Sequence, residues 1–279
     1  MSQTYPFLKG HGTENDFVLL PDHDGSIHGE LPPEEMAQRV RALCDRRAGI
    51  GGDGVLRVVR TAYAGVPADG SEWFMDYRNA DGSFSEMCGN GIRLFARHLV
   101  DEGLVDGSVP IPVGTRDGVK LLTVDGDAIT ADLGAPKVLG ETVVSVGHLE
   151  LGARHVDMGN PHAVAFVSSL DEAGPLHVAP GHDPAVFPEG VNVEFVVRRG
   201  ERHVAMRVHE RGSGETRSCG TGACAVMVAA AVDDGVVRDE DVTYRVDVPG
   251  GTLRVTWTTD DRVLLTGPAV VVAAGSTSL

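Results

Sequence analysis

Two cysteines in this sequence sit in a setting suited to proton chemistry. Met87-Cys88-Gly89-Asn90-Gly91-Ile92-Arg93 and Ser218-Cys219-Gly220-Thr221-Gly222-Ala223-Cys224 each place a cysteine directly before Gly-x-Gly. A helix that opens at such a cysteine presents unsatisfied backbone N–H groups and the positive end of its dipole, which favour the thiolate. The glycines let the backbone come close to an anion and offer it N–H donors. A substrate carboxylate could therefore be held beside each thiol. Two thiols addressing opposite faces of one carbon acid can remove and return a proton with inversion through a planar carbanion. The α-proton of an amino acid is far less acidic than a thiol, and each pKa unit of mismatch is worth about 1.4 kcal/mol. N–H donors aimed at the developing enediolate, in a site closed to water, must supply that difference. Either cysteine alone reads equally well as a packing residue; two in matched settings favour chemistry.

The elements that would position them follow from periodicity. After Cys88, Ile92, Phe95, Ala96, Leu99 and Val100 mark one apolar face of an amphipathic helix closed by Gly103. After Cys219, Val226, Met227, Val228 and a run of alanines up to Gly235 are apolar nearly all round, which predicts a buried central helix. The cysteines lie 131 residues apart, and other features repeat in the same order: Gly118 to Thr123 resembles Gly251 to Thr256, and Gly134-Ala135-Pro136 resembles Gly267-Pro268-Ala269. An internal duplication is the natural reading. Each half then holds strands, a Cys-Gly-x-Gly helix and further Val/Thr-rich strands such as Val191 to Val197 and Tyr244 to Val248. The expected fold class is α/β (α+β), with two pseudo-symmetric domains, each a mostly antiparallel or mixed sheet wrapped around a central helix, and an active site in the cleft between them. The expected boundaries are 1–117 plus 264–279 for the Cys88 half and 118–263 for the Cys219 half. Surface loops are expected at Gly174 to Gly190 and at Gly65 to Gly70.

Composition narrows the function class. The 279 residues carry 24 Lys+Arg against 40 Asp+Glu, a formal net charge of −16 that repels a phosphate backbone, so no nucleic-acid partner is expected. Glycine is enriched, at 36 residues against an average share of about 7%. The N-terminal run MSQTYPFLKGHGTENDF has no basic region leading into an apolar stretch, and no segment reaches about 18 uninterrupted apolar residues. These features predict a cytoplasmic protein with no membrane partner. Four cysteines are too few for a disulfide framework, and none form Cys-x-x-Cys. No metal site is expected.

The motifs GTENDF (Gly12 to Phe17), YRNADGS (Tyr77 to Ser83), MCGNGIR (Met87 to Arg93), MGNPH (Met158 to His162), VNVEF (Val191 to Phe195) and HERGSGETRSCGTGACA (His209 to Ala225) run along essentially the whole chain. In this order they resemble the diaminopimelate epimerases. That resemblance implies a cofactor-independent isomerase that interconverts LL- and meso-2,6-diaminopimelate by a two-base thiolate/thiol mechanism, on the routes to lysine and peptidoglycan, and commonly a homodimer. It implies that Cys88 and Cys219 are the acid/base thiols, with His162 and Glu210 holding them in opposite protonation states. Asn15, Asn79, Asn160, Asn192, Glu210 and Arg211 are implied as substrate contacts, and Gly89-Asn90 and Gly220-Thr221 as backbone cups for the reacting carboxylate. The types suit a substrate with an ammonium and a carboxylate at each end, since amides serve either group and an arginine can clasp the distal carboxylate in a fork. Some members carry glutamine where Gly54 stands.

Taken singly, these residues have plainer readings. Asn15 precedes Asp16 and could form a turn, Asn160-Pro161 is a common turn opener, and Glu210-Arg211 could be a solvated ion pair. The run Gly49-Ile50-Gly51-Gly52-Asp53-Gly54 lacks a following Gly-Lys-Ser/Thr and reads as a tight turn near the cleft. Cys44 and Cys224 read as packing residues. The alternative function is a two-cysteine proline or hydroxyproline racemase of the same fold, which would not need a distal-end set such as Asn79, Asn192 and Arg211. A pyridoxal-phosphate racemase needs a lysine, and only Lys9, Lys120 and Lys137 are present, none in a recognisable phosphate-binding context.

Overall fold

The computed structural model describes residues 4–67, 69–237 and 239–279. Ala68, within the loop expected at 65–70, and the first three residues of the N-terminal run lie outside the described residues. The chain runs β1 (Tyr5–Gly12), β2 (Asn15–Pro21), α1 (Pro33–Cys44), β3 (Gly54–Arg60), β4 (Trp73–Asn79), α2 (Gly89–Asp101), β5 (Ile111–Thr115), β6 (Gly118–Asp125) and β7 (Ala128–Asp132). It continues through β8 (Lys137–Val146), β9 (Leu149–Asp157), β10 (Pro161–Phe166), β11 (Gly181–His182), β12 (Asn192–Gly200), β13 (His203–Glu210), β14 (Gly214–Thr216), α3 (Gly220–Asp233), β15 (Val242–Val248), β16 (Gly251–Trp257), β17 (Val263–Pro268) and β18 (Val270–Thr277). Two units divide it: Met1–Ala131 with Pro268–Leu279, and Asp132–Gly267.

Each unit is a mixed sheet with one pairing scheme. In the first, β1 pairs antiparallel with β18 and β2, β2 runs parallel to β3, β3 antiparallel to β4, β4 parallel to β5, and β5, β6 and β7 form an antiparallel meander. In the second, β9 pairs antiparallel with β8 and β10, β10 runs parallel to β12, β12 antiparallel to β13, β13 parallel to β15, and β15, β16 and β17 repeat the meander. The repeat read from the sequence is thus a repeat of topology, and the hairpin that begins at Gly118 has its counterpart in the one that begins at Gly251.

A helix fills each unit. In α2, Ile92, Leu94, Phe95, Ala96 and Leu99 are fully buried, and Arg93 and His98 go inside with them. This helix packs on β1, β2, β3 and β18, so burial extends beyond the single apolar face that its spacing predicted. Helix α3 is buried from Gly222 to Ala231 against β9, β10, β12, β13, β15 and β16, as an all-round apolar helix requires. Its many alanines let six strands approach. Helix α1, outside the two cysteine-led segments, starts on Pro33 with Glu34 and Glu35 in the first turn and buries Met36, Val40 and Leu43. The 174–190 segment is not all loop, because Gly181–His182 adds a short strand to the edge of β8.

One turn is strained where it matters. Gly12 pairs with Asn15, leaving a two-residue hairpin turn whose central residues, Thr13 and Glu14, have φ of 49° and 61°. Such a turn matches the twist of its strands but ordinarily takes Asn-Gly or Gly-Gly. Left-handed backbone at non-glycine residues costs about 1–2 kcal/mol each. Thr13 compensates in part, since its hydroxyl lies 3.4 Å from Arg93 Nη2 and 3.5 Å from Asn90 Oδ1. Glu14 is exposed. Replacing Glu14→Gly is therefore expected to stabilise the fold by about 0.5–1 kcal/mol, read from the urea midpoint. A loss of stability would show that the glutamate side chain outweighs the backbone strain.

Candidate active site

The Cys88 group is built on the first unit. Cys88 is the N-cap of α2, in extended backbone (φ −140°, ψ 120°), and its Sγ accepts the Gly91 N–H at 3.4 Å. The thiol also faces Asn15 Oδ1 at 3.6 Å, and that oxygen accepts from Asn90 Nδ2 at 3.1 Å. Asn15 Nδ2 donates to Asp53 Oδ2 at 2.7 Å, which fixes the amide with its oxygen toward the thiol. The glycine run at 49–54 is what delivers Asp53: Gly51 takes φ +80°, and Ile50 and Gly51 both donate to the Leu43 carbonyl at the end of α1. Burial and the neighbouring Asp16 carboxylate push Asp53 up. Burial also opposes ionisation of Asp16, but hydrogen bonds from Arg46 and Lys9 overcome it and pull that carboxyl down to about 2. Arg93, fully buried, donates to the Gly89 carbonyl at 3.1 Å and to Asn90 Oδ1 at 3.0 Å. Asn79 closes β4, its amide donating to Ser83 Oγ at 3.0 Å, and the next residue, Ala80, donates its N–H to the Asp53 carbonyl. Gly54 lies opposite Asn79, and a Cβ there would meet the Arg78 carbonyl at 2.5 Å.

The Cys219 group is built on the second unit by the same device. Cys219 is the N-cap of α3 (φ −114°, ψ 117°), and Sγ accepts the Gly222 N–H at 3.3 Å. Thr221 Oγ1 lies 3.6 Å from the sulfur and receives Asn160 Nδ2 at 3.3 Å. Asn160 Oδ1 meets His162 Nε2 at 3.0 Å, and His162 Nδ1 meets Glu194 Oε1 at 2.6 Å. The Cys219 thiol is also hydrogen-bonded to Glu210, which accepts the Thr216 hydroxyl as well. Asn192 spans the strand ends, donating to the Pro161 carbonyl at 3.0 Å and accepting the Arg211 N–H at 2.9 Å. The Arg211 guanidinium is exposed, with Nη1 at 3.4 Å from the Glu189 carbonyl.

Electrostatics separates the two groups. Burial, then the charges of Glu210 and Glu194, push the Cys219 thiol well above its ordinary range, and the Gly222 N–H offsets only part of this. The expectation that a helix N-terminus lowers the thiol's pKa is therefore wrong in sign for Cys219. The cap contact forms, but desolvation and two carboxylates outweigh it. Burial likewise drives Glu210 up to about 7, with Glu194 adding to the shift and the Thr216 hydroxyl opposing it. At neutral pH this places a protonated thiol against a carboxyl close to its own midpoint.

The sequence reading missed Glu194, Asp53, Arg93 and Thr13. Glu194 had a visible signal, a carboxylate set inside the apolar strand Val193 to Val197. The backbone N–H groups of Gly89, Asn90, Gly220 and Thr221 occupy the first two positions of their helices, where such groups point out of the helix end and suit a carboxylate. Cys44 and Cys224 are buried packing residues, and burial pushes the Cys44 thiol up to about 12. Among the described residues no cluster of three or more His, Cys, Asp or Glu is placed to hold a metal ion, and no helix is long and apolar enough to cross a membrane.

Glu210 carries a pH signature. Its folded-state pKa is raised from 4.5 to about 7, so between those values the folded chain holds a proton that the unfolded chain has released. Stability must then fall as pH rises through that window, by at most about 1.4 kcal/mol per pH unit from this group, and level off above it. Urea unfolding of wild type and Glu210→Gln across pH 4–8 should show the wild type losing ground to the variant between pH 4.5 and 7. A constant difference would refute the raised carboxyl of Glu210.

Comparison with known proteins agrees with these features. The profile of the diaminopimelate epimerase family matches residues 7–139 and 154–272. A diaminopimelate epimerase of Streptomyces coelicolor is 57% identical over 286 residues, covering 99% of this chain and 96% of that protein. One of Corynebacterium glutamicum is 46% identical over the full length of both. Among solved structures, a phenazine biosynthesis protein of the PhzF family from Bacillus anthracis superposes with a TM-score of 0.72 at 17% identity, covering 99% of both chains. A hydroxyproline epimerase from Agrobacterium vitis gives 0.70 at 12% identity, covering 98% of this chain and 92% of that one. These two share the fold.

Proposed function

The chain belongs to the diaminopimelate epimerase family, and from that premise we propose that it interconverts LL- and meso-2,6-diaminopimelate by two-base catalysis without a cofactor. The observation that carries the reading is the pair of cysteines at matched helix N-caps in unmatched surroundings. Cys219 is kept as a neutral thiol beside Glu210, whereas Cys88 faces the amide of Asn15 and accepts the Gly91 N–H. One centre is disposed to give a proton and the other to take one.

For the isomer whose α-proton faces Cys88, that sulfur as thiolate removes the proton, and the electron pair passes into the carboxylate as an enediolate. N–H groups at the starts of α2 and α3 stabilise the developing charge. Cys219 then delivers its proton to the opposite face; the thiolate it becomes is reprotonated with Glu210 as the nearby acid, Glu210 regains a proton from solvent, and Cys88 gives up the abstracted proton to solvent, which restores the starting state. For the other isomer the roles reverse. Glu210 near 7 suits this exchange, because proton transfer is easiest between groups of matched affinity. Asn15, Asn79, Asn160, Asn192 and Arg211 serve as substrate contacts, Arg211 for the distal carboxylate. The reading extends to a homodimer acting in the cytoplasm on a route to lysine and peptidoglycan precursors. The racemase alternative is not favoured, since the full-length relatives at 45–57% identity carry the diaminopimelate epimerase name.

Two measurements test this. Cys88→Ala and Cys219→Ala should each lower epimerisation of LL-diaminopimelate by at least about a hundredfold with the fold intact by circular dichroism, because neither thiol can serve both faces. Near-normal turnover by either folded variant would rule out the two-base assignment. In heavy water with LL-diaminopimelate and no added cofactor, deuterium should enter the meso product well before it enters remaining substrate. The abstracting thiol returns the original proton, while the other delivers one from solvent. Equal early labelling of both pools would point to a single base, and efficient inversion of free proline would revive the imino-acid racemase.

A further inference from the structure

The second unit contains a buried ionisable pair that the first unit, with the same topology, does without. His162 and Glu194 are each 0% exposed and face each other across 2.6 Å, and Glu194 Oε2 is buried with no hydrogen-bond partner. The pairing registers identify their counterparts. Glu194 lies opposite Val208 and Leu56 opposite Tyr77, and Val208 follows Tyr77 by the same 131 residues that separate the two cysteines. The parallel pairings agree, with Phe17 beside Gly54 two residues before Leu56 and His162 beside Asn192 two residues before Glu194. The helices agree: a Cβ on Gly222 would meet Glu194 Oε1 at 2.7 Å, and a Cβ on Gly91, 131 residues earlier, would meet the Leu56 side chain at 3.3 Å. Phe17, two residues after Asn15, fills the place of His162, two residues after Asn160. Phe17 and Leu56 are fully buried. This architecture therefore packs with an apolar pair at these positions, and replacing a buried ion pair by apolar residues is often neutral or stabilising. Stability does not account for Glu194.

Its contacts do. From Glu194 a chain of polar atoms runs through His162 Nδ1 and Nε2, Asn160 Oδ1 and Nδ2, and Thr221 Oγ1 to Cys219 Sγ. We propose that Glu194 is a positioning residue for the Cys219 centre. It accepts the Nδ1–H of His162 while Nε2–H donates to the Asn160 amide oxygen, which can only accept, and the ring so held orients the Asn160 amide toward Thr221 and the thiol. A carboxylate accepts only, which dictates the nitrogen that carries the proton on the Glu194 side. The other ionisable groups acting on this chain are Glu210 on β13, whose charge faces both His162 and Glu194, and His155 on β9, which feels His162. The inference rests on the proposed function only for what Cys219 does, not for how the chain is wired.

The test therefore reads the wiring apart from turnover. In wild-type protein labelled with ¹⁵N-histidine, His162 should show a protonated Nδ1 that exchanges slowly; a bare Nδ1 with the proton on Nε2 alone overturns the proposal, and this needs no variant to fold. In Glu194→Gln the Nδ1 signature should weaken, kcat for diaminopimelate should fall at least about tenfold with a smaller change in KM, and the ¹³Cβ signal of Cys219 should titrate at lower pH. Glu194→Asp should recover part of kcat and of the Nδ1 signal. A folded Glu194→Gln with unchanged His162 and Cys219 signals overturns the assignment whatever its activity. Altered signals with unchanged turnover support the wiring and count against the epimerase reading of the site instead.

Discussion

The structure turns on a weak helix cap used twice. An N-cap oxygen from Ser, Thr, Asp or Asn stabilises a helix start by about 1 kcal/mol, and a sulfur is a poorer acceptor. Both α2 and α3 nevertheless begin on cysteine, with the sulfur at 3.4 and 3.3 Å from the N–H three residues on. Choosing sulfur forgoes cap strength and places a titratable group at the one point of each helix where N–H donors converge. The glycines complete the arrangement by leaving the first turn open and, at Gly222, by leaving room for Glu194.

Duplication supplies the frame, and divergence within the frame supplies the chemistry. Each unit runs its strands in one order around one buried helix, so the two cysteines arrive at equivalent places. What surrounds them has drifted apart. Asp53 turns Asn15 toward Cys88, and Arg93 braces the first turn of α2 from inside. Around Cys219 lie two carboxylates and an imidazole, of which Glu194 and His162 are fully shielded from water and Glu210 is half-buried. A symmetric pair of thiols would share one protonation state. In the proposed two-base mechanism, different burial and different neighbours are what would let one stand as acid while the other stands as base.

Much of this was legible in the chain alone. The helices starting at Gly89 and Gly220, the cysteines before them and the duplicated strands follow from local patterns, because caps, glycine turns and apolar periodicity act over a few residues. Asn15, Asn160, His162 and Glu210, by contrast, stand out only through the order of motifs that carries the family resemblance. Arg211 and Asn79 could be proposed as ligand contacts only through resemblance, since nothing in their local sequence separates such contacts from surface polar groups.

The tertiary structure decided what depends on several segments at once. No local pattern tells that Asp53, after a glycine turn, reaches back to orient Asn15. None tells that His162 and Glu194 pair in the buried interior while Glu210, on the next strand, reaches the Cys219 thiol and feels both charges. The protonation of Cys219 is the plainest case. Its sequence position favours a thiolate through the helix N-terminus, a local effect. Its actual state is set by desolvation and by carboxylates from two other strands, a sum over the whole surrounding that only the folded chain can take.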